Sequence, residues 1–155
     1  MIDKKDKKIL LNLLVDGRSS YSEIGRNVGM TRQSVYSRMK SLKRKGIIEK
    51  FTVELNKKEL GLKLKAFVFI VATPVKELRK EAEKRLKNLP EISQINYLYG
   101  QFDIMLEILV ENIDELTELL RKLQEITMIK KTETFIVYET AKYSPEDPLK
   151  RILHE

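Results

Sequence analysis

The chain is expected to be an α+β protein in two parts, and three observations carry that expectation. The first third reads as three short helices with cap residues between them. From Ala66 onward, apolar runs of strand length alternate with helical periodicity. Net positive charge is confined to the first part. Residues 1–60 hold 15 Lys/Arg against 7 Asp/Glu, a net +8, and residues 61–155 hold 15 against 16, a net −1. The first part therefore faces a polyanion, and the second has another task.

Asp3 to Val15 reads as the first helix, with Ile9, Leu10, Leu13 and Leu14 as its apolar face and Asp16-Gly17 as its stop. Ser20 and Glu23 have the S-x-x-E spacing of a capping box. Ile24 and Val28 then face a core, Gly25 leaves room for a neighbouring helix, and Gly29 ends the helix in a left-handed turn. Thr31 restarts a helix as its N-cap, with Val35, Met39 and Leu42 inward and Gly46 as terminator. Between Thr31 and Gly46 stand Arg32, Arg38, Lys40, Lys43, Arg44 and Lys45, with no acid. Two helices joined this tightly cross steeply, as in a helix-turn-helix. Arg32, Gln33, Ser34 and Ser37 at the start of the second helix are the candidates for base edges, since Arg pairs with guanine and Gln with adenine. Arg38, Lys40, Lys43, Arg44 and Lys45 are the candidates for phosphates. Solvated basic residues on an ordinary helix pair are the plain alternative, but turn, caps, glycines and charge sign agree on a DNA reader.

Ile47 to Leu55 alternates imperfectly and is expected as a wing or hinge strand, and Asn56 to Lys65 as a charged connector. Ala66 to Ala72 is a buried strand by length and composition. Thr73-Pro74 starts a helix with proline at its first position, and Leu78, Ala82, Leu86 and Leu89 face inward. Ile92 to Tyr99 and Asp103 to Val110 form a hairpin turning at Gly100-Gln101. Asn112 and Glu115 cap a further helix whose inward residues are Ile113, Leu116, Leu119, Leu120 and Leu123. Lys131 to Thr140 closes with a strand, and Ser144 to Glu155 is a tail carrying Pro145 and Pro148. The order βαββαβ is the ferredoxin-like split unit. Domain limits follow at 1–50 for the helix-turn-helix, 51–64 for the linker, 65–143 for the βαββαβ domain and 144–155 for the tail. Such a sheet carries helices on one face. Phe67, Phe69 and Val71 alternate with Val68 and Ile70, so both faces of that strand are apolar. A second copy of the same sheet is the simplest cover, which predicts a homodimer and two reading helices for two half-sites.

The set of local marks resembles the Lrp/AsnC family of transcriptional regulators, also called feast/famine regulators. Asp3 and Lys8-Ile9-Leu10 resemble its D-x-x-D-x-x-I-L opening. Val35, Arg38-Met39, Leu42 and Gly46-Ile47-Ile48 resemble the V-x-x-R-[IVM]-x-x-L-x-x-x-G-x-I signature. Asn56 and Leu60-Gly61 resemble the N-P-x-x-L-G linker, and Gly100-Gln101-Phe102-Asp103 the G-x-[FYW]-D loop. Lys57 stands where the family often has proline, and Gly25 where alanine is usual. The resemblance spans Ile2 to about Pro148 and an archaeal source is expected with it, to which a Lys- and Glu-rich chain without Cys or Trp adds a thermophilic composition. It implies a dimer assembling into tetramers or octamers, and an amino-acid effector at interfaces of the sensing domain. The effector residues implied are Tyr99, Gly100, Gln101, Phe102, Asp103, Thr132 and Thr134. A glycine turn suits a carboxylate and an acid an ammonium. Asp103 has a second reading as a turn residue binding its own backbone, and the two threonines as ordinary strand residues.

The remaining residues narrow the classes. There is no Cys, and the one His is His154 beside the C-terminus, so metal, thiol and His-based catalytic sites are not expected. No apolar run spans a bilayer and MIDKKDKK is no signal peptide, which leads to a cytoplasmic, nucleoid-associated protein and no membrane partner. An architectural DNA binder with little sequence preference would use the same cations. A sirohaem-decarboxylase-like enzyme resembles the same two-part architecture but is expected to need basic and His residues around a tetrapyrrole, whereas the one His here is terminal.

Overall fold

The structure is a computed structural model that describes residues 2–154. The chain divides into two compact units. The first comprises residues 1–54 together with 141–155, and the second residues 55–140.

In the first unit, α1 (Lys4–Val15), α2 (Tyr21–Val28) and α3 (Arg32–Arg44) surround a core of Ile9, Ile24, Val35, Met39, Leu42 and Ile48. Each helix starts on its own cap. Asp3 accepts from the N–H groups of Lys5 and Asp6, Ser20 from Glu23, and Thr31 from Ser34. The α2–α3 turn wraps around Gly25. Gly29 closes α2 at φ +67°, a conformation that a side chain resists. The Gly25 carbonyl then accepts from both Gly29 and Met30. The chain returns so closely that a Cβ at residue 25 would lie 2.6 Å from the Met30 carbonyl oxygen. The family's usual alanine therefore does not fit this turn without displacing backbone.

Two expectations change here. Ile47 to Leu55 forms no strand, because a strand needs a ladder partner and none of the described residues supplies one. Ile48 instead enters the helical core, while Phe51, Val53 and Leu55 stay exposed. The expected tail contains α6 (Asp147–His154), which packs against α1. Pro148 does not prevent it, since an N–H in the first turn has no helical acceptor to lose.

The second unit is a four-stranded antiparallel sheet in the order β2-β3-β1-β4, built from β1 (Leu64–Ala72), β2 (Ile92–Tyr97), β3 (Ile104–Val110) and β4 (Ile129–Ile136). With α4 (Lys76–Lys87) and α5 (Ile113–Gln124) between strands, this is the predicted ferredoxin-like order. Ala66, Val68, Ile70, Ile104, Leu106, Ile108 and Val110 meet Ala82, Leu86, Leu116, Leu119 and Leu123 in one buried layer. Thr73 donates its N–H to the Met128 carbonyl, so the chain is still tied to the sheet there and α4 begins only at Lys76, two residues after Pro74. Ile113 is 51% exposed rather than inward, as the residue next to the Asn112 cap. β4 ends at Ile136, opposite Ala66, because its partner β1 runs out at Leu64. On the sheet's other face Phe67, Phe69 and Val71 are half-buried, as the alternation predicts.

Gly25→Ala should lower unfolding stability by about 1–3 kcal/mol through overpacking, outweighing the gain of up to about 1 kcal/mol in helix propensity. Denaturant titration of the full chain checks this. Equal or greater stability would mean that the turn relaxes freely.

Candidate nucleic-acid interface and effector loop

α3 turns by about 100° per residue, so its buried stripe fixes what it presents. Opposite Val35, Met39 and Leu42 lie Gln33, Ser37, Lys40 and Arg44, all exposed. Arg32 and Lys43 flank that row on one side and Ser34 and Ser41 on the other. Lys45 is the C-cap, also exposed. The Ser34 hydroxyl is engaged in the cap, accepting from the Thr31 hydroxyl at 2.9 Å. Gln33, Ser34, Ser37, Arg38 and Ser41 line one shallow open strip along the helix.

Arg38 is set apart from the other cations. Its Nη1 lies 2.6 Å from Asp3 Oδ2 and 2.7 Å from Asp6 Oδ1, joining the middle of α3 to the start of α1. Asp6 is the shielded partner, with its side chain 11% exposed, while Arg38 is 30% and Asp3 55% exposed. The Asp6 backbone N–H and the guanidinium hold the Asp3 carboxyl below its usual range. Hydrogen bonds to Asp6 and Asp3 raise Arg38 further. The charge that the sequence offered to phosphate is thus answered inside the protein. The sequence reading missed Asp6 because its role depends on a residue 32 positions away. Its spacing three residues after Asp3 marked only a helix start.

In the second unit, Tyr99 and Gln101 are exposed, and Gly100 has φ +145°. Phe102 packs on Phe69 at 5.2 Å between centroids, and Phe69 meets Phe135 edge-on at 5.6 Å, so the loop is anchored on the sheet face without helices. Asp103 is tied at three points. It donates to the Ile70 carbonyl, accepts from the Leu98 N–H, and its Oδ2 accepts from the Ala72 N–H at 2.8 Å. β1 and β3 stop pairing at Ile70 and Ile104, so the Ala72 N–H has no β3 acceptor and the carboxylate supplies one. The Asp103 carboxylate thus binds the backbone of the neighbouring strand β1 rather than that of its own turn. Thr132 and Thr134 lie opposite Ile70 and Val68, on the helix-bearing face. Within one chain they share neither face nor contact cluster with Phe102. Among the described residues no His/Cys/Asp/Glu group could hold a metal ion, and no helix is long and apolar enough to cross a membrane.

Residues 65–147 match the Lrp/AsnC ligand-binding domain, and residues 2–49 match a winged helix-turn-helix DNA-binding domain. An uncharacterized HTH-type transcriptional regulator of Pyrococcus furiosus is 39% identical over 92% of this chain and 96% of its own. The HTH-type transcriptional regulator FL11 of Pyrococcus horikoshii is 30% identical over 96% of this chain and 97% of its own. Both relatives are archaeal, the source expected for this sequence. Among solved structures, E. coli AsnC has a TM-score of 0.86 at 28% identity, covering 93% of this chain and 97% of its own. The regulator NMB0573 of Neisseria meningitidis, solved with L-Met, has the same fold at TM-score 0.91 and 23% identity, covering 98% of this chain and 99% of its own.

The Asp3–Arg38 pair sets a pH dependence. A carboxyl held below its unfolded value of 3.8 adds stability above that pH and loses it as pH falls through the lower folded value. Asp3→Asn keeps a capping side chain and removes the charge. Its thermal midpoint, followed by circular dichroism, should lie below wild type at neutral pH and converge with it only as pH falls below 3.8 and through the lower folded value. A gap that persists in acid would assign the loss to capping geometry.

Proposed function

The chain belongs to the Lrp/AsnC family of transcriptional regulators, and on that premise we propose that it is a sequence-specific DNA-binding regulator, dimeric or higher, acting in the cytoplasm on the nucleoid. The observation that carries this is the exposed surface of α3. Arg32, Gln33, Ser37, Lys40, Lys43, Arg44 and Lys45 lie there with no acid among them, while α3's one internal cation is neutralised by α1. Two such helices on a twofold dimer meet two major grooves about one duplex turn apart. Gln33, Ser37 and Arg32 face base edges, with Ser34 beside them. Lys40, Lys43, Arg44 and Lys45 neutralise phosphates and make affinity fall steeply with salt. Arg38 acts as a positioning residue that fixes the rotation of α3.

The half-buried Phe67, Phe69 and Val71 and the exposed Phe135 support dimerisation through the open sheet face. An amino acid is the effector that we assign to the loop Tyr99–Asp103, with Thr132 and Thr134 entering from another chain. Tyr99 is fully exposed in one chain, which suits a site completed by a neighbour. Such a ligand changes DNA binding or assembly only through unequal affinity for two states, whether dimer, tetramer or octamer.

Selection of bound duplexes from a random pool at near-physiological salt tests the DNA reading. An enriched inverted repeat with half-sites about one turn apart is expected. Binding without enrichment would favour an architectural role, and no binding would remove the DNA function altogether. The effector reading is tested by titrating the twenty amino acids against the operator complex. Asp103→Asn retains an acceptor for the Ala72 N–H and loses the charge that would hold an ammonium. It should keep operator binding and lose the response, and a response at wild-type concentration would confine Asp103 to its backbone role.

A further inference from the structure

On α3, Tyr36 falls in the same row as Arg32 and Lys43, on the flank bordering α2. It is 43% exposed and has no place in the buried stripe. Its ring meets that of Tyr21 at 5.7 Å and 64°, an edge-on contact. Tyr21 is the first residue of α2 and is itself anchored against the helical core. Among the described residues, neither phenol hydroxyl makes a hydrogen bond within the chain. A solvent-exposed aromatic gains little from burial, but two interlocked rings hold a hydroxyl in place at small entropic cost.

The start of α2 has a second property. Helix N-termini ordinarily offer free N–H groups to phosphate. Here Ser20 donates its N–H to Glu23 Oε2 at 2.7 Å, and Glu23 donates its own to Ser20 Oγ at 3.2 Å. The box uses two of those donors, the Ser20 and Glu23 N–H groups, and places a carboxylate beside the rest. Yet when a reading helix enters the major groove, the helix before it crosses the sugar–phosphate backbone. A cleft lined by Ser20, Tyr21, Ser22 and Arg32 opens on this edge. The donors left there are the Tyr21 and Ser22 N–H groups, the serine hydroxyls, the Arg32 guanidinium and the phenol hydroxyls, and of these the Tyr36 hydroxyl stands on α3 itself.

We propose that Tyr36 is a DNA-contacting residue whose hydroxyl donates to a backbone phosphate, and that Tyr21 is the positioning residue that holds its ring. This rests on α3 being the reading helix and adds a neutral donor to a row otherwise made of cations. A neutral donor displaces no condensed cation, so its loss weakens binding without changing the salt dependence. It reads no base, so the loss is the same on every duplex.

The test uses the full-length protein and two duplexes of equal length, the selected operator and an unrelated sequence, titrated over a salt series. Tyr36→Phe should weaken binding to both about tenfold, as expected for a hydrogen bond to a charged group. The slope of log affinity against log salt should be unchanged, while Lys43→Ala should reduce its magnitude by about two in a dimer, about one for each protomer. Tyr21→Leu should weaken binding similarly, and the double variant should add little to either alone. Unchanged affinity of Tyr36→Phe on both duplexes would overturn the contact. A loss confined to the operator would make Tyr36 a base reader instead. A loss matched by a lower thermal midpoint of the free protein would reduce the pair to packing. Wild-type protein that bound neither duplex would overturn the DNA reading itself, and this proposal with it.

Discussion

The rotation of α3 about its own axis is the constraint on which the DNA-facing surface depends. One stripe, Val35, Met39 and Leu42, is buried, and every other residue of the helix takes its direction from that burial. A turn of one residue, about 100°, would bring polar or cationic side chains into the core. Burial of a stripe nonetheless leaves some rotational freedom, since apolar contact is non-directional. The contact of Arg38 Nη1 with the carboxylates of Asp3, the cap of α1, and Asp6, in its first turn, is directional. It sits at the edge of the stripe and pins the helix from the side. Spending one cation internally is therefore consistent with a surface whose remaining cations must sit at defined distances from phosphates.

The second unit obeys a different constraint. β1 lies between β3 and β4 and is apolar on both faces. Two helices satisfy one face. The other gathers Phe69, Phe102 and Phe135 into an aromatic cluster that carries the base of the Tyr99–Asp103 loop. The loop is thus rigid where it joins the sheet and exposed at its tip. Asp103 is the junction, because its carboxylate supplies the Ala72 N–H with the acceptor that β3 no longer offers there. The same placement puts Thr132 and Thr134 on the opposite face, so any pocket using all of these residues draws them from more than one chain.

Features governed by near neighbours were legible before the structure. The caps at Ser20, Thr31 and Asn112, the stop at Gly29 and the apolar faces of the helices depend on residues three or four apart, and they stand where the sequence puts them. The βαββαβ order was equally readable, since strand and helix periods differ. The limits of β4, the start of α4 and the strand expected at 47–55 were less accessible. Each depends on where a partner strand ends or whether one exists. α6 was obscured by Pro148, although Leu149, Ile152 and Leu153 carry a helical spacing.

The sequence by itself determined the architecture, the division of charge and the acid-free basic surface of the third helix, because these follow from local hydrogen bonding and the period of apolar and charged residues. Only the tertiary structure decided what several of the polar residues do. Arg38 finds Asp3 across 35 positions, Asp103 finds Ala72 across 31, and Tyr36 finds Tyr21 on the neighbouring helix. A charge or hydroxyl looks the same in sequence whether it serves a ligand or a neighbour. Its role is fixed by what folding brings within about 3 Å of it, and that distance is set by the packing of whole elements rather than by any spacing along the chain.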